Sequence, residues 1–265
     1  MSERRLLASM LAACVIGLSA CGGSGGGGSA SGDARGGSLT VSAAASLQSA
    51  FSRYGGQLAN AGQAPVRFSF AGSDQLAAQI ELGVKPDLFA SANLKLPNQL
   101  YAKGLVEKPV VFASNRLVLA VPAGTSKINS IAELAKPGLT LAIGSQTVPI
   151  GSYTRIVFSR LPPSLEKAVI ANVRDEEPEV TGIVGKLTEG AVDAGFIYAT
   201  DVQAAGGKIK AIRLPDALQP QVAYGVAIVR GTQHQTQAQA FVQGLLHGPG
   251  QQDLLQAGLL PPPAR

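Results

Sequence analysis

Four junctions in this chain share one chemical character. They are "AAAS" at 43–46, "FAGSDQL" at 70–76, "SQTVPIGSYT" at 145–154 and "EEPEVTGIV" at 176–184. Each reads as the point where a strand gives way to a helix. A helix start exposes unpaired N–H groups and about half a positive charge. It therefore attracts anions without lysine or arginine. Ser46 and Ser73 each add a hydroxyl to their own N–H. Ala44, Ala45, Ala71 and Gly72 are small enough to let a ligand reach the backbone. A serine at a helix start is also a common cap with no ligand at all. It is the recurrence at four junctions that points to an anion site.

The surrounding pattern alternates strand and helix. Residues 39–43 read as a strand. Leu47, Ala50, Phe51, Tyr54 and Leu58 then recur on one face of a helix. Strands are expected at 66–70, in "PDLFAS", at 116–121, in "LTLAIG", in "DAGFIY" and in "VAYGVAIVR". Helices are expected at 75–82, 94–103, 151–161, 179–189, 235–246 and 250–256. Such alternation builds a mostly parallel sheet with helices on both faces. The order predicts an α/β protein of two lobes. Lobe I takes 38–116 and 225–265, and lobe II takes 117–224, with strands 116–121 and 224–229 as the two crossovers. A cleft between the lobes is the expected site.

The first 37 residues stand apart. Arg4 and Arg5 precede an apolar stretch at 6–18 that ends in "LSAC", 18–21. This is an export signal at 1–20, too short to span a bilayer. Small residues before Cys21 resemble the bacterial lipoprotein processing box, which implies cleavage before Cys21 and lipidation of its sulfur. Residues 21–37 are then the lipidated cysteine and a Gly/Ser tether. Cys14 and Cys21 are the only cysteines, so the exported domain has no internal disulfide. The net charge of +5 is spread thinly and basic residues do not alternate with aromatics, which argues against nucleic-acid binding.

The motifs "AAASL", "FAGSDQLAAQIELGVKPDLFASA", "VPIGSYT" and "GFIYATD", in that order, resemble the molybdate-binding proteins of bacterial ABC importers. The resemblance runs over about 39–259. It implies a periplasmic-binding-protein fold of type II, a monomer that binds molybdate or tungstate, and delivery to a membrane permease. No cofactor and no catalytic residue are implied. Carried over by position, the oxyanion is held by the hydroxyl and N–H of Ser46 and Ser73, the N–H of Ile150 and of Val180, and the Tyr198 hydroxyl. The metal is bound as an oxyanion, not as a cation. The family often has a small residue where this chain has Ile150. In the loosely matched "EPEV" segment, Glu179 or Thr181 could shift the register. Asp74, beside Ser73, is expected to face solvent and favour its helix start.

The other classes have weaker footing. Ser164 opens an S-x-x-K pattern, but no S-D-N or K-T-G follows, and a helix start after "LPP" explains it. "GIVGKLT" lacks the spacing of a phosphate loop. His234 and His247 are the only histidines, far in sequence from the junctions, and are expected on the surface. No His/Cys/carboxylate cluster suggests a metal cation site. The remaining alternatives are a binder of sulfate or another anion, a sensory or adhesive lipoprotein, and a hydrolase using Ser46.

Overall fold

The computed structural model describes residues 37–124 and 128–263. The export signal, Cys21 and its lipidation, and the tether up to residue 36 lie outside the described residues. The chain runs β1 (Leu39–Ala44), a 3₁₀ turn (Ala45–Leu47), α1 (Gln48–Asn60), β2 (Val66–Ala71), α2 (Ser73–Glu81), β3 (Leu88–Ser91), α3 (Lys95–Ala102) and β4 (Val110–Asn115). It continues with β5 (Leu117–Pro122), a 3₁₀ turn (Ile131–Ala135), β6 (Leu141–Gly144), α4 (Pro149–Phe158), α5 (Pro163–Ile170), β7 (Val173–Glu177), α6 (Val180–Thr188) and β8 (Ala194–Tyr198). Then follow α7 (Ala199–Ala204), β9 (Ile209–Arg213), a 3₁₀ turn (Asp216–Leu218), β10 (Val222–Ile228), α8 (Gln235–His247) and α9 (Pro249–Gln256).

Two sheets result, in the orders β2-β1-β3-β10-β4 and β7-β6-β8-β5-β9. Each is built on one plan. Three strands run parallel (β2, β1, β3 and β7, β6, β8), and a fourth, β10 or β5, pairs antiparallel beside them. That antiparallel strand is in each case the one that has just arrived from the other lobe. The two-lobed α/β fold is therefore as the alternation predicts. The boundary expected at 224/225 falls inside β10, all of which pairs in the first sheet.

The central strands explain themselves physically. β1 (LTVSAA) and β3 (LFAS) are almost wholly buried, as parallel strands covered on both faces must be. α1 turns Ala50, Phe51 and Tyr54 inward. Phe51 meets Phe68, Phe112 and Phe241 at centroid distances of 5.9, 6.0 and 5.6 Å.

The roots of the parallel strands are pinned by the same device in both lobes. Thr40 donates its N–H and Oγ1–H to Asp87 Oδ2 at 2.7 and 2.8 Å. Thr140 does the same to Asp193 Oδ2, also at 2.7 and 2.8 Å. Asp87 precedes β3 and Asp193 precedes β8, so each carboxylate ties the start of one parallel strand to its neighbour. The first clip centres on a buried Asp87 and is doubly braced: Asp87 Oδ1 also accepts from Thr232 Oγ1 and lies 3.1 Å from His234 Nδ1. The second is exposed. His234 is therefore a partly buried brace at the start of α8, not a free surface residue, whereas His247 is exposed.

Candidate functional site

The parallel strands deliver their carboxyl ends to one level. Ala43 stands beside Phe70 and Ala90, and Ala44 beside Ala71. In the second sheet Ala142 stands beside Gly195, and Gly144 beside Glu177. Past these ends the chain turns at once into helical first turns. Ser46 sits in the 3₁₀ turn after β1, Ser73 opens α2, Ile150 follows Pro149 in α4, and Val180 opens α6. First-turn N–H groups have no acceptor within their own helix.

All five residues singled out from the sequence (Ser46, Ser73, Ile150, Val180 and Tyr198) line one cavity of about 20 Å³ between the lobes. A single water needs roughly 10–15 Å³ measured in the same way. The space suits a compact ion and excludes a nucleotide or a peptide. Ala44, Ala45, Ala71 and Ala92 end at Cβ and leave the backbone open to it. Val180 lines the cavity together with its neighbour Glu179, the one ionisable carboxylate in the lining. Glu179 is engaged elsewhere, accepting from Thr181 Oγ1 at 2.6 Å.

The polar atoms of the cavity are mostly donors. The Tyr198 hydroxyl is buried with no hydrogen-bond partner among the described residues. Burial, and then the neighbouring Tyr224, Tyr153 and Asp201, push this phenol well above its ordinary value, so it keeps its proton. The Tyr198 N–H is fixed by Asp201 Oδ2 at 2.9 Å. Burial pushes the Asp201 carboxyl up to about 7, against that bond from Tyr198. Ser73 Oγ accepts from the Ala92 N–H at 3.2 Å, which leaves its own proton to point elsewhere. Ser46 Oγ lies 3.0 Å from the Tyr224 hydroxyl.

Two features correct or extend the expectation. Asp74 lies in the first turn of α2, as expected, but is half-buried and does not stand free in solvent. Its Oδ2 accepts from Thr147 Oγ1 of the opposite lobe at 2.6 Å, and its Oδ1 is buried without a partner. Beside it, a Cβ on Gly72 would lie 2.6 Å from the Pro178 carbonyl oxygen, so only glycine lets the lobes meet there. Tyr224 and Asn115, both buried behind Ser46, were not found by sequence reasoning. Tyr224 lies in a strand whose apolar run reads simply as core, and Asn115 ends β4, a strand the sequence reading did not anticipate. The only signal was a lone tyrosine in "VAYGVAI", whose hydroxyl needs a partner when buried.

Comparison with known proteins agrees with this architecture. The family described as "Bacterial extracellular solute-binding protein" matches residues 39–260. The molybdate-binding protein ModA of Mycobacterium tuberculosis is 35% identical over 262 residues, covering 97% of each chain. The periplasmic molybdate-binding protein of Azotobacter vinelandii superposes with a TM-score of 0.75 at 23% identity, over 84% of this chain and 99% of that one. The sulfate-binding protein SubI of M. tuberculosis gives the same TM-score of 0.75 at 18% identity, over 84% and 86%. Equal superposition on binders of two different ions means that these structural likenesses show the fold and not the ligand. From the match of 39–260 and the identity to the mycobacterial relative, the chain belongs to the bacterial extracellular solute-binding proteins, in the group that includes the ModA-type molybdate-binding proteins.

Proposed function

We propose that this protein binds molybdate, and tungstate with it, outside the cytoplasmic membrane and hands it to the permease of an ABC importer. The observation that carries the reading is the Tyr198 hydroxyl: a protonated, buried donor with no acceptor among the described residues, at a small cavity ringed by helix starts. A fully deprotonated oxyanion supplies the missing acceptor. Ser46 and Ser73 give two donors each, and Ile150, Val180 and Tyr198 one each. Hydrogen bonds to a charged partner contribute about 1.5–3 kcal/mol apiece. Less the costs of association and closure, this is compatible with a Kd from about micromolar to nanomolar.

Donors alone also select. Molybdate, tungstate and sulfate only accept hydrogen bonds near neutral pH. Hydrogen phosphate would leave its own O–H unpaired, at a cost of about 1–3 kcal/mol. Against sulfate the donor pattern offers no selection, and only the shorter reach of its oxygens from the centre separates it from molybdate. A hydrolytic role for Ser46 has little support: its hydroxyl partner is the Tyr224 phenol, which burial holds protonated and useless as a base. The protein acts as a monomer without a cofactor, carried at the membrane by a lipid on Cys21.

Calorimetric titration with molybdate, tungstate, sulfate and phosphate tests the reading. Tight molybdate binding with weak sulfate binding is expected. Sulfate binding as tightly, or molybdate not binding, overturns it. Ester hydrolysis that disappears in Ser46→Ala would put the enzyme in its place.

A further inference from the structure

We propose that Asn115 and Tyr224 are positioning residues that fix the polarity of the site, forcing the Ser46 hydroxyl to donate into the cavity. The inference rests on the oxyanion reading and names the device that makes this site select fully deprotonated ions.

The argument follows protons along a chain of contacts. The Arg116 N–H donates to Asn115 Oδ1 at 2.8 Å. This fixes which end of the amide is oxygen, so Nδ2 must face the other way. Nδ2 gives one N–H to Thr200 Oγ1 at 3.0 Å and presents the other to the Tyr224 hydroxyl at 3.4 Å. The second contact is long, and its value here is directional: a donor occupies that side of the phenol oxygen. A phenol has one proton. With Asn115 on one side, that proton goes to Ser46 Oγ, 3.0 Å away. Ser46 then accepts from Tyr224 rather than donating to it, so its own proton is not spent within the protein and is left for the cavity. Ser73 reaches the same state by a shorter route, through the Ala92 N–H.

Both serines of the first lobe are thus donors by construction, one through the backbone and one through two side chains. An unfixed serine could spend its proton on Tyr224 and meet hydrogen phosphate as an acceptor only. A fixed one keeps its proton for the ion, which favours an ion that only accepts. Asn115→Asp reverses the chain: a carboxylate draws the Tyr224 proton, Tyr224 then accepts from Ser46, and Ser46 turns a lone pair to the cavity. Tyr224→Phe only releases Ser46.

The test is calorimetry and competition on the whole protein with molybdate and inorganic phosphate, with thermal melts of each ligand-free variant. Tyr224→Phe is expected to weaken molybdate about threefold to tenfold, and to raise the phosphate-to-molybdate affinity ratio about threefold. Asn115→Asp is expected to raise that ratio at least tenfold. With the titrations run above the second ionisation of phosphate, so that both ligands are dianions, the charge that Asn115→Asp adds penalises them alike and cancels in the ratio. In the Tyr224→Phe background, Asn115→Asp should leave the ratio where Tyr224→Phe put it. An unchanged ratio in Asn115→Asp, or an equal rise without Tyr224, overturns the proposal. So does failure of both single variants to fold, which would assign the pair to the core. If the unaltered protein fails to bind molybdate, the functional reading falls instead, and the two failures stay distinct.

Discussion

The two lobes meet the cavity with the same plan and opposite chemistry. By position in the topology, Ser46 after β1 corresponds to Ile150 after β6, and Ser73 at the start of α2 to Val180 at the start of α6. Lobe I offers hydroxyls together with N–H groups. Lobe II offers bare N–H groups behind apolar side chains, and one phenol at the end of β8. A helix start supplies its donors whatever side chain it bears. On the proposed oxyanion reading the lobes divide the work: lobe I sets which end of a hydrogen bond the ion must be, and lobe II covers it with apolar side chains and backbone donors. Exclusion of water by such a cover strengthens every interaction within.

The sharpest way to break this division is to strip lobe I. Ser46→Ala with Ser73→Ala should lower molybdate affinity about a thousandfold, roughly 4 kcal/mol for two charge-assisted hydroxyls. Ile150→Val in lobe II should change it less than about threefold. Comparable losses in the two titrations would end the comparison.

The strand clips carry the same asymmetry into stability. Asp87→Ala should cost about 2 kcal/mol by leaving partly buried donors of Thr40, Thr232 and His234 unpaired, against about 1 kcal/mol for Asp193→Ala. Chemical denaturation reads the difference. Burial alone would raise the Asp87 carboxyl, but hydrogen bonds from Thr232, Thr40 and His234 outweigh it and hold the group below its ordinary range. Its stabilisation is therefore complete above an unfolded value of about 4 and is lost as pH falls through the lower folded value. Asp87→Ala should flatten that acid limb.

Tyr198→Phe sharpens the exception within lobe II. Molybdate affinity should fall about tenfold to thirtyfold, while the ligand-free melting temperature holds or rises, because an unpaired buried hydroxyl is gone. A drop in both would make the phenol a core residue. The smallest effect belongs to the bond between the lobes. Thr147→Val removes the hydroxyl that Asp74 accepts and should weaken molybdate about twofold to fivefold, seen as faster release in stopped flow.

The sequence carried the junctions well because they rest on local chemistry: a serine after small residues at the head of an apolar helical stripe. The central strands were equally legible, since burial on both faces makes them continuous apolar runs. The strands that escaped notice, β4, β7 and β9, all lie at sheet edges. β7 reads VRDEE and buries no residue fully, so its hydrophobic signal is nearly nil. Asp74 was misplaced for a different reason. Its partner, Thr147, is in the other lobe, and no local pattern tells a solvated carboxylate from one that bonds across a cleft. Tyr224 and Asn115 were missed for the same reason, as their hydrogen bonds join residues 178 and 109 positions apart.

The chain has five tyrosines and no tryptophan. Tyrosine therefore carries all of its near-ultraviolet emission, and the Tyr198 phenol is the one whose hydrogen-bonding state an arriving anion alters most directly. On the oxyanion reading, occupancy of the cavity should register in the protein's own fluorescence, without dye or label, and Tyr198→Phe should mark which part of the signal belongs to it.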